Sequence, residues 1–156
     1  MPSYVSPEGH ARILEEYNWL LHKERPRITA EVAYAASLGD RSENSEYLYG
    51  KKRLREIDKR LHFLLERLEA LEVVDPRRFS GPVVRFGATV TFEDDDGETQ
   101  TWTILGEDEV DTDAGRISYL APIGKALVGR AEGDQVAIAT PKGRRELTIL
   151  KVTYPT

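Results

Sequence analysis

Asp40 and Glu43 stand three positions apart in the polar run Gly39-Asp40-Arg41-Ser42-Glu43-Asn44-Ser45-Glu46-Tyr47. They are the side chains best suited to chemistry here, because the chain has no cysteine and only three histidines. Two carboxylates held close offer hard oxygen ligands to a cation such as Mg²⁺, which takes oxygen donors and keeps several waters. Two carboxylates do not complete a site. The remaining ligands would have to come from a partner or its substrate phosphates. The spacing has a plainer reading as well: Asp40 as N-cap with Glu43 at the third position is a capping box, and acids favour a helix start. Both readings stay open.

Lys51 to Arg60 follows the acids, with six basic and two acidic residues. Lys51, Lys52, Arg53 and Arg55 form its dense part. This is either a solvated helix face laced with ion pairs or a local phosphate-binding patch. Tyr47 and Tyr49 lie between the patch and the acids, where an aromatic ring can stack on a base or pack between helices.

Two helices must carry these residues. Ser6-Pro7 is a helix start, with a Ser cap and a Pro at the first helical position. The first helix is expected from about residue 7 to about 38. Leu14, Leu21, Ile28 and Ala35 recur every seven residues, Tyr17 and Leu38 fall on the intermediate seam, and Ile13, Leu20 and Val32 broaden the stripe. Pro26 interrupts it at a cost on the order of 3 kcal/mol inside a regular helix. A kinked but continuous arm is expected. Gly39 ends that arm as a left-handed residue. The second helix is expected from about 43 to 71, with Leu54, Ile57, Leu61, Leu64, Leu68 and Leu71 in steps of three and four. Tyr47 and Gly50 extend the register back toward 39–46. Two such arms in opposite directions make an antiparallel coiled coil whose tip is 39–46.

Beyond Asp75-Pro76 and the linker Ser80-Gly81-Pro82 the hydrophobic period becomes two. Val84 to Phe92 alternates, Asp94-Asp95-Asp96-Gly97 is a hairpin turn, and Trp102 and Ile104 mark the return strand. Further strands are expected at Ile117–Leu120, around Val136 and Ile138, and from Leu147 to Tyr154, with a short helix from Pro122 to Gly129. The fold class is α+β: a helical hairpin (1–75), a linker (76–82) and a small domain with a mostly antiparallel sheet (83–156).

The 156 residues carry a net charge of −5. Residues 1–80 hold fourteen basic and fourteen acidic side chains, whereas 81–156 hold eight basic and thirteen acidic. The balance argues against a free-standing nucleic-acid binder that works by phosphate neutralisation. His10, His22 and His62 are scattered and are not expected to ligate zinc. No signal peptide and no apolar run of about 18 residues is present, so a cytoplasmic chain without a membrane partner is expected. The second domain has no histidine and no catalytic constellation.

The chain resembles bacterial transcript cleavage factors, the GreA/GreB family of transcription elongation factors, and is more similar to GreB than to GreA. The resemblance rests on Glu24-Arg25-Pro26, on Ala35 to Asn44, and on Lys51 to Asp58. It continues in Ile117-Ser118, Pro122, Lys125-Ala126-Leu127 and Gly133-Asp134. It implies a coiled coil that enters the secondary channel of RNA polymerase and an FKBP-like domain that grips the channel rim, with Pro122 a contact. It implies that Asp40 and Glu43 match the two tip acids, which help hold a Mg²⁺ shared with the polymerase. The polymerase then hydrolyses the backtracked nascent RNA near its 3′ end. The factor is no enzyme on its own, binds no cofactor stably when alone, and is expected to be a monomer when free. Lys51, Lys52, Arg53 and Arg55 would guide the extruded RNA. Leu120-Ala121 stand where the family usually has Ser before the proline, often preceded by Asp, which implies a more apolar or a weaker rim contact. The alternative is a passive occupant of the channel that regulates polymerase without promoting cleavage.

Overall fold

In the computed structural model, which describes residues 3–39 and 44–156, the first arm is one uninterrupted helical run. It consists of α1 (Pro7–Trp19), a π-helical turn (Leu20–Glu24) and α2 (Arg25–Ser37). Pro26 explains the π turn. It has no N–H to give, and its ring would collide with the carbonyl four residues earlier in an α-helix. The wider turn avoids this, and the Arg25 N–H donates five residues back to Leu20 O. The expected continuity holds.

The π turn also moves the seam. It absorbs one extra residue, so the buried positions run Ile13, Leu20, Ile28, Ala35, with a step of eight across the turn. Before the turn the seam is therefore Ile13 and Leu20, not Leu14 and Leu21. Leu14 is exposed, and Leu38, expected on the intermediate seam, is exposed too.

The second arm is α3 (Ser45–Ala70), whose Ile57 and Leu64 are buried against Ile13, Leu20 and Ile28. Leu54, Leu61, Leu68 and Leu71 flank this core, as their spacing indicated. The arms are antiparallel. Val32 meets Gly50 near the tip. Further along, Arg25 pairs with Asp58 at 2.7 Å and Glu16 with Arg60 at 2.7 Å.

The chain divides into two compact units, His10–Leu71 and Met1–Gly9 with Glu72–Thr156. Residues 3–9 group with the second unit for two reasons. β1 (Ser3–Val5) pairs with β2 (Leu71–Val73), and the Val74 N–H donates to Val5 O at 2.8 Å. The buried Glu109 carboxylate accepts from the Ser6 hydroxyl, from Ser6 N at 3.1 Å and from Gly106 N at 2.9 Å. Ser6 in turn caps α1, accepting from Gly9 N at 3.1 Å.

The second unit is built on a five-stranded sheet of order β5-β4-β3-β7-β6. Its strands are β3 (Thr89–Glu93), β4 (Thr99–Leu105), β5 (Arg116–Ser118), β6 (Gln135–Thr140) and β7 (Gly143–Thr153). All neighbours are antiparallel except β4 and β5. Val90, Phe92, Ile104, Val136, Leu147 and Ile149 fill the core beneath α4 (Pro122–Leu127) and its Leu127. The expected strand from Val84 begins only at Thr89. Gly87 has φ +87°, and a Cβ there would sit 2.3 Å from Pro76, so the chain bends before it can pair. Val84 and Ala88 nevertheless stay in the core.

Candidate functional site

Three residues shape the end of the hairpin. Gly39, at φ +125°, follows the last residues of α2 in a conformation that side chains rarely adopt. Asn44 starts α3, its Oδ1 accepting from Tyr47 N at 3.1 Å as an N-cap does. The same side chain crosses to the other arm, Nδ2 donating to Ala35 O at 2.7 Å. The Leu38 N–H also reaches Ala35 O, at 3.1 Å. Gly50 lets the arms close: a Cβ there would meet Val32 Cγ2 at 2.5 Å.

The cap of α3 corrects one expectation. One of the two readings puts Asp40 at the cap of this helix with Glu43 at the third position, but the helix starts at Ser45 and its cap is Asn44. A side-chain oxygen one residue before the first helical turn reaches the free N–H groups, and Asn44 is that residue. Asp40 and Glu43 themselves lie outside the described residues. They fall in the segment 40–43 that joins Gly39 to Asn44. Among the described residues no cluster of three or more His, Cys, Asp or Glu could hold a metal.

The four basic candidates divide. Lys51, Lys52 and Arg55 are exposed and make no ion pair with another described residue. Arg53 instead faces the other arm. It lies 3.5 Å from Glu24 Oε2 and 3.8 Å from Glu56. Glu24 is the buried acid of the seam and also pairs with Arg27 at 2.7 Å. Arg53 is thus tied to the hairpin, and the cationic surface is carried by its three neighbours, with Lys59 exposed further along α3.

In the second unit Pro122 is exposed at the first position of α4. A tight turn presents it. Ser118 accepts from Leu120 N through its hydroxyl and from Ala121 N through its carbonyl, both at 3.0 Å. Gly124 packs against that carbonyl so closely that a Cβ would lie 2.2 Å away. Leu120 is 43% exposed beside Pro122, so the corner is apolar.

A family model described as the N-terminal part of a transcription elongation factor matches residues 3–73. A second, the C-terminal part of GreA/GreB transcription elongation factors, matches residues 80–154. The GreB transcription elongation factor of Neisseria meningitidis serogroup B is 49% identical over 153 residues, 97% of this chain and 94% of that protein. This chain belongs to the GreA/GreB family. The GreB factor of Pseudomonas aeruginosa is 47% identical over 151 residues, 97% of this chain and 90% of that protein. A solved GreA/GreB factor from Nitrosomonas europaea is 26% identical, covering 97% of this chain and 99% of its own, at a TM-score of 0.44.

Within this family member, sequence reasoning missed two features of the tip. The bridging role of Asn44 was hidden behind the more obvious acids. The only available signal was a good capping residue immediately before the periodic run. Tyr34 was also passed over. It falls off the Ile28–Ala35 seam and so could have been read as exposed.

Proposed function

We propose that this GreA/GreB-family chain enters the secondary channel of RNA polymerase and stimulates the polymerase's own Mg²⁺-dependent cleavage of backtracked RNA. The observation that carries this reading is the Asn44 bridge. It ties the end of α2 to the start of α3, the two described ends that residues 40–43 join in sequence, and this supports reading those four residues as the tip of a paired helical arm. At 1.5 Å per residue, the 26 residues of α3 span about 39 Å. That is a reach suited to a narrow channel.

Asp40 and Glu43 are the acids that this arm would deliver. Their donor chemistry fits a hard cation, and their number leaves positions for ligands from the polymerase and the RNA. Mg²⁺ bound there would activate water and stabilise the leaving oxygen. The chain's own part is to place the two carboxylates, exclude alternative positions of the RNA end and hold the extruded strand. Lys51, Lys52 and Arg55 supply free positive charge for its phosphates, with Arg53 more restrained by Glu24. The apolar corner at Leu120 and Pro122 would meet the channel rim in the cytoplasm of the bacterial cell.

The test is RNA cleavage in halted, backtracked polymerase complexes with Mg²⁺, with and without the factor. Faster release of 3′ fragments with the factor supports the reading. Binding without acceleration would instead identify a passive channel occupant.

A further inference from the structure

Tyr34 on α2 and Tyr49 on α3 are each 66% exposed, although large aromatic side chains usually find cover. They line one cleft of about 890 Å³ on the hairpin's outer face, close to the tip. Ala30, one turn before Tyr34 on α2, also lines the cleft and contributes only a small side chain. Neither phenol hydrogen-bonds to another described residue. The hairpin core is complete without them, since its buried members are Ile13, Leu20, Ile28, Ile57 and Leu64. Packing therefore does not account for either ring.

The cationic face begins at this cleft. Lys52 is three residues beyond Tyr49 and so lies on the same side of α3. Arg55 and Lys59 follow at three and seven residues from Lys52, continuing that side, with the exposed Glu56 between them pairing with Arg53 at 3.8 Å. All three cations are exposed and without an ion pair among the described residues. Aromatic faces at the head of a line of free cations are the two parts of a single-strand binding track: rings stack bases while charges follow the phosphates. The acids of the cleft suit this arrangement. Glu31 is neutralised by Arg27 at 2.7 Å. Glu46 makes no ion pair with another described residue, and a carboxylate at that position would direct phosphates toward Lys52.

We propose that Tyr34 and Tyr49 stack an unpaired base of the extruded RNA, with its neighbouring phosphate on Lys52. This rests on the proposed function, and it adds a base-contacting site distinct from the tip acids. Leu38 and Leu48 are exposed nearby, at 62% and 50%, which makes an apolar polymerase surface the competing occupant. The free cations favour RNA.

The experiment is equilibrium binding of the full chain to backtracked polymerase complexes, all in an Asp40→Ala/Glu43→Ala background so that the RNA stays intact. The extruded segment is either normal or abasic. Tyr34→Leu and Tyr49→Leu should each weaken binding to normal RNA about 5- to 150-fold, the range that one base–aromatic stack supplies. Tyr34→Phe and Tyr49→Phe should retain it. Abasic RNA should weaken the parent similarly and abolish the additional effect of the leucine variants. Equal losses on normal and abasic RNA would overturn the proposal in favour of a protein contact, and no loss on either would overturn it outright. If the parent does not bind the complexes, this proposal and the proposed function both fall. If the loss depends on the bases but the wild-type chain fails to stimulate cleavage, only the cleavage reading falls.

Discussion

The amide of Asn44 joins the two arms of the hairpin, donating to Ala35 O at 2.7 Å and accepting from Tyr47 N at 3.1 Å. One side chain thus satisfies a carbonyl at the end of α2 and an N–H at the start of α3. Replacing it should show both roles. Asn44→Asp keeps the cap acceptor and loses the donor, whereas Asn44→Ala loses both. Urea unfolding followed by circular dichroism should rank them wild type, Asn44→Asp, Asn44→Ala. The alanine variant should be about 1–3 kcal/mol less stable than wild type, a cap plus one partly buried hydrogen bond. Equal stability of all three would mean that the bridge contributes nothing.

Gly50 runs against helix propensity, and the reason is steric. Gly→Ala in a helix interior usually stabilises by about 1 kcal/mol. Here the new methyl would meet Val32 Cγ2 at 2.5 Å. Val32 is β-branched and stiff in a helix, so it yields poorly. Gly50→Ala is expected to destabilise by about 1–3 kcal/mol through overpacking. Val32→Ala should relieve much of that loss in the double variant. A thermal melt in which Gly50→Ala alone raises the midpoint would rule the close approach out.

The seam shift gives a sharper contrast, because adjacent residues exchange roles. Ile13 is buried and Leu14 exposed, where an unbroken heptad puts Leu14 inside. Ile13→Ala should cost about 2–5 kcal/mol, at the low end for a site near the burial limit. Leu14→Ala should stay within about 0.5 kcal/mol. The reverse order in chemical denaturation would restore the unbroken heptad and remove the π turn.

This contrast marks what could be read from the sequence. The α3 core, the helix start at Ser6-Pro7 and the alternation around Val90 and Phe92 were legible because each is a local pattern tied to one backbone period. The π turn was not. Pro26 signals a disturbance, but the choice between a kink and an absorbed residue depends on packing against α3. The pairing of β1 with β2 and the parallel β4–β5 neighbours were hidden for a related reason: three-residue strands carry too little alternation to register. At the tip, Asn44 and Asp40 are both good caps, and only the start of α3 decides between them.

Two ion pairs between the arms predict a pH dependence. The hydrogen bonds from Arg25 hold the Asp58 carboxyl below its ordinary range, and those from Arg60 do the same for Glu16. A lowered folded value means that the stabilisation is fully present above the unfolded value, about pH 4. It is lost as pH falls through the folded value. These side chains are 53% and 40% exposed, so screening limits each pair to about 0.2–1 kcal/mol. The stability gap between wild type and Asp58→Asn/Glu16→Gln should be open at pH 7 and close below about pH 4. A gap that stays constant from pH 7 to pH 3 would contradict this.

The most direct test of the central claim compares wild type with Asp40→Ala, Glu43→Ala and the double variant in backtracked RNA polymerase complexes with Mg²⁺. Binding to polymerase is measured alongside cleavage. All four should bind alike, and each acid variant should lose cleavage stimulation by about 100-fold or more, the scale for a group that stabilises developing charge. Undiminished cleavage by the double variant would contradict that claim, because the hairpin would then act without its acids.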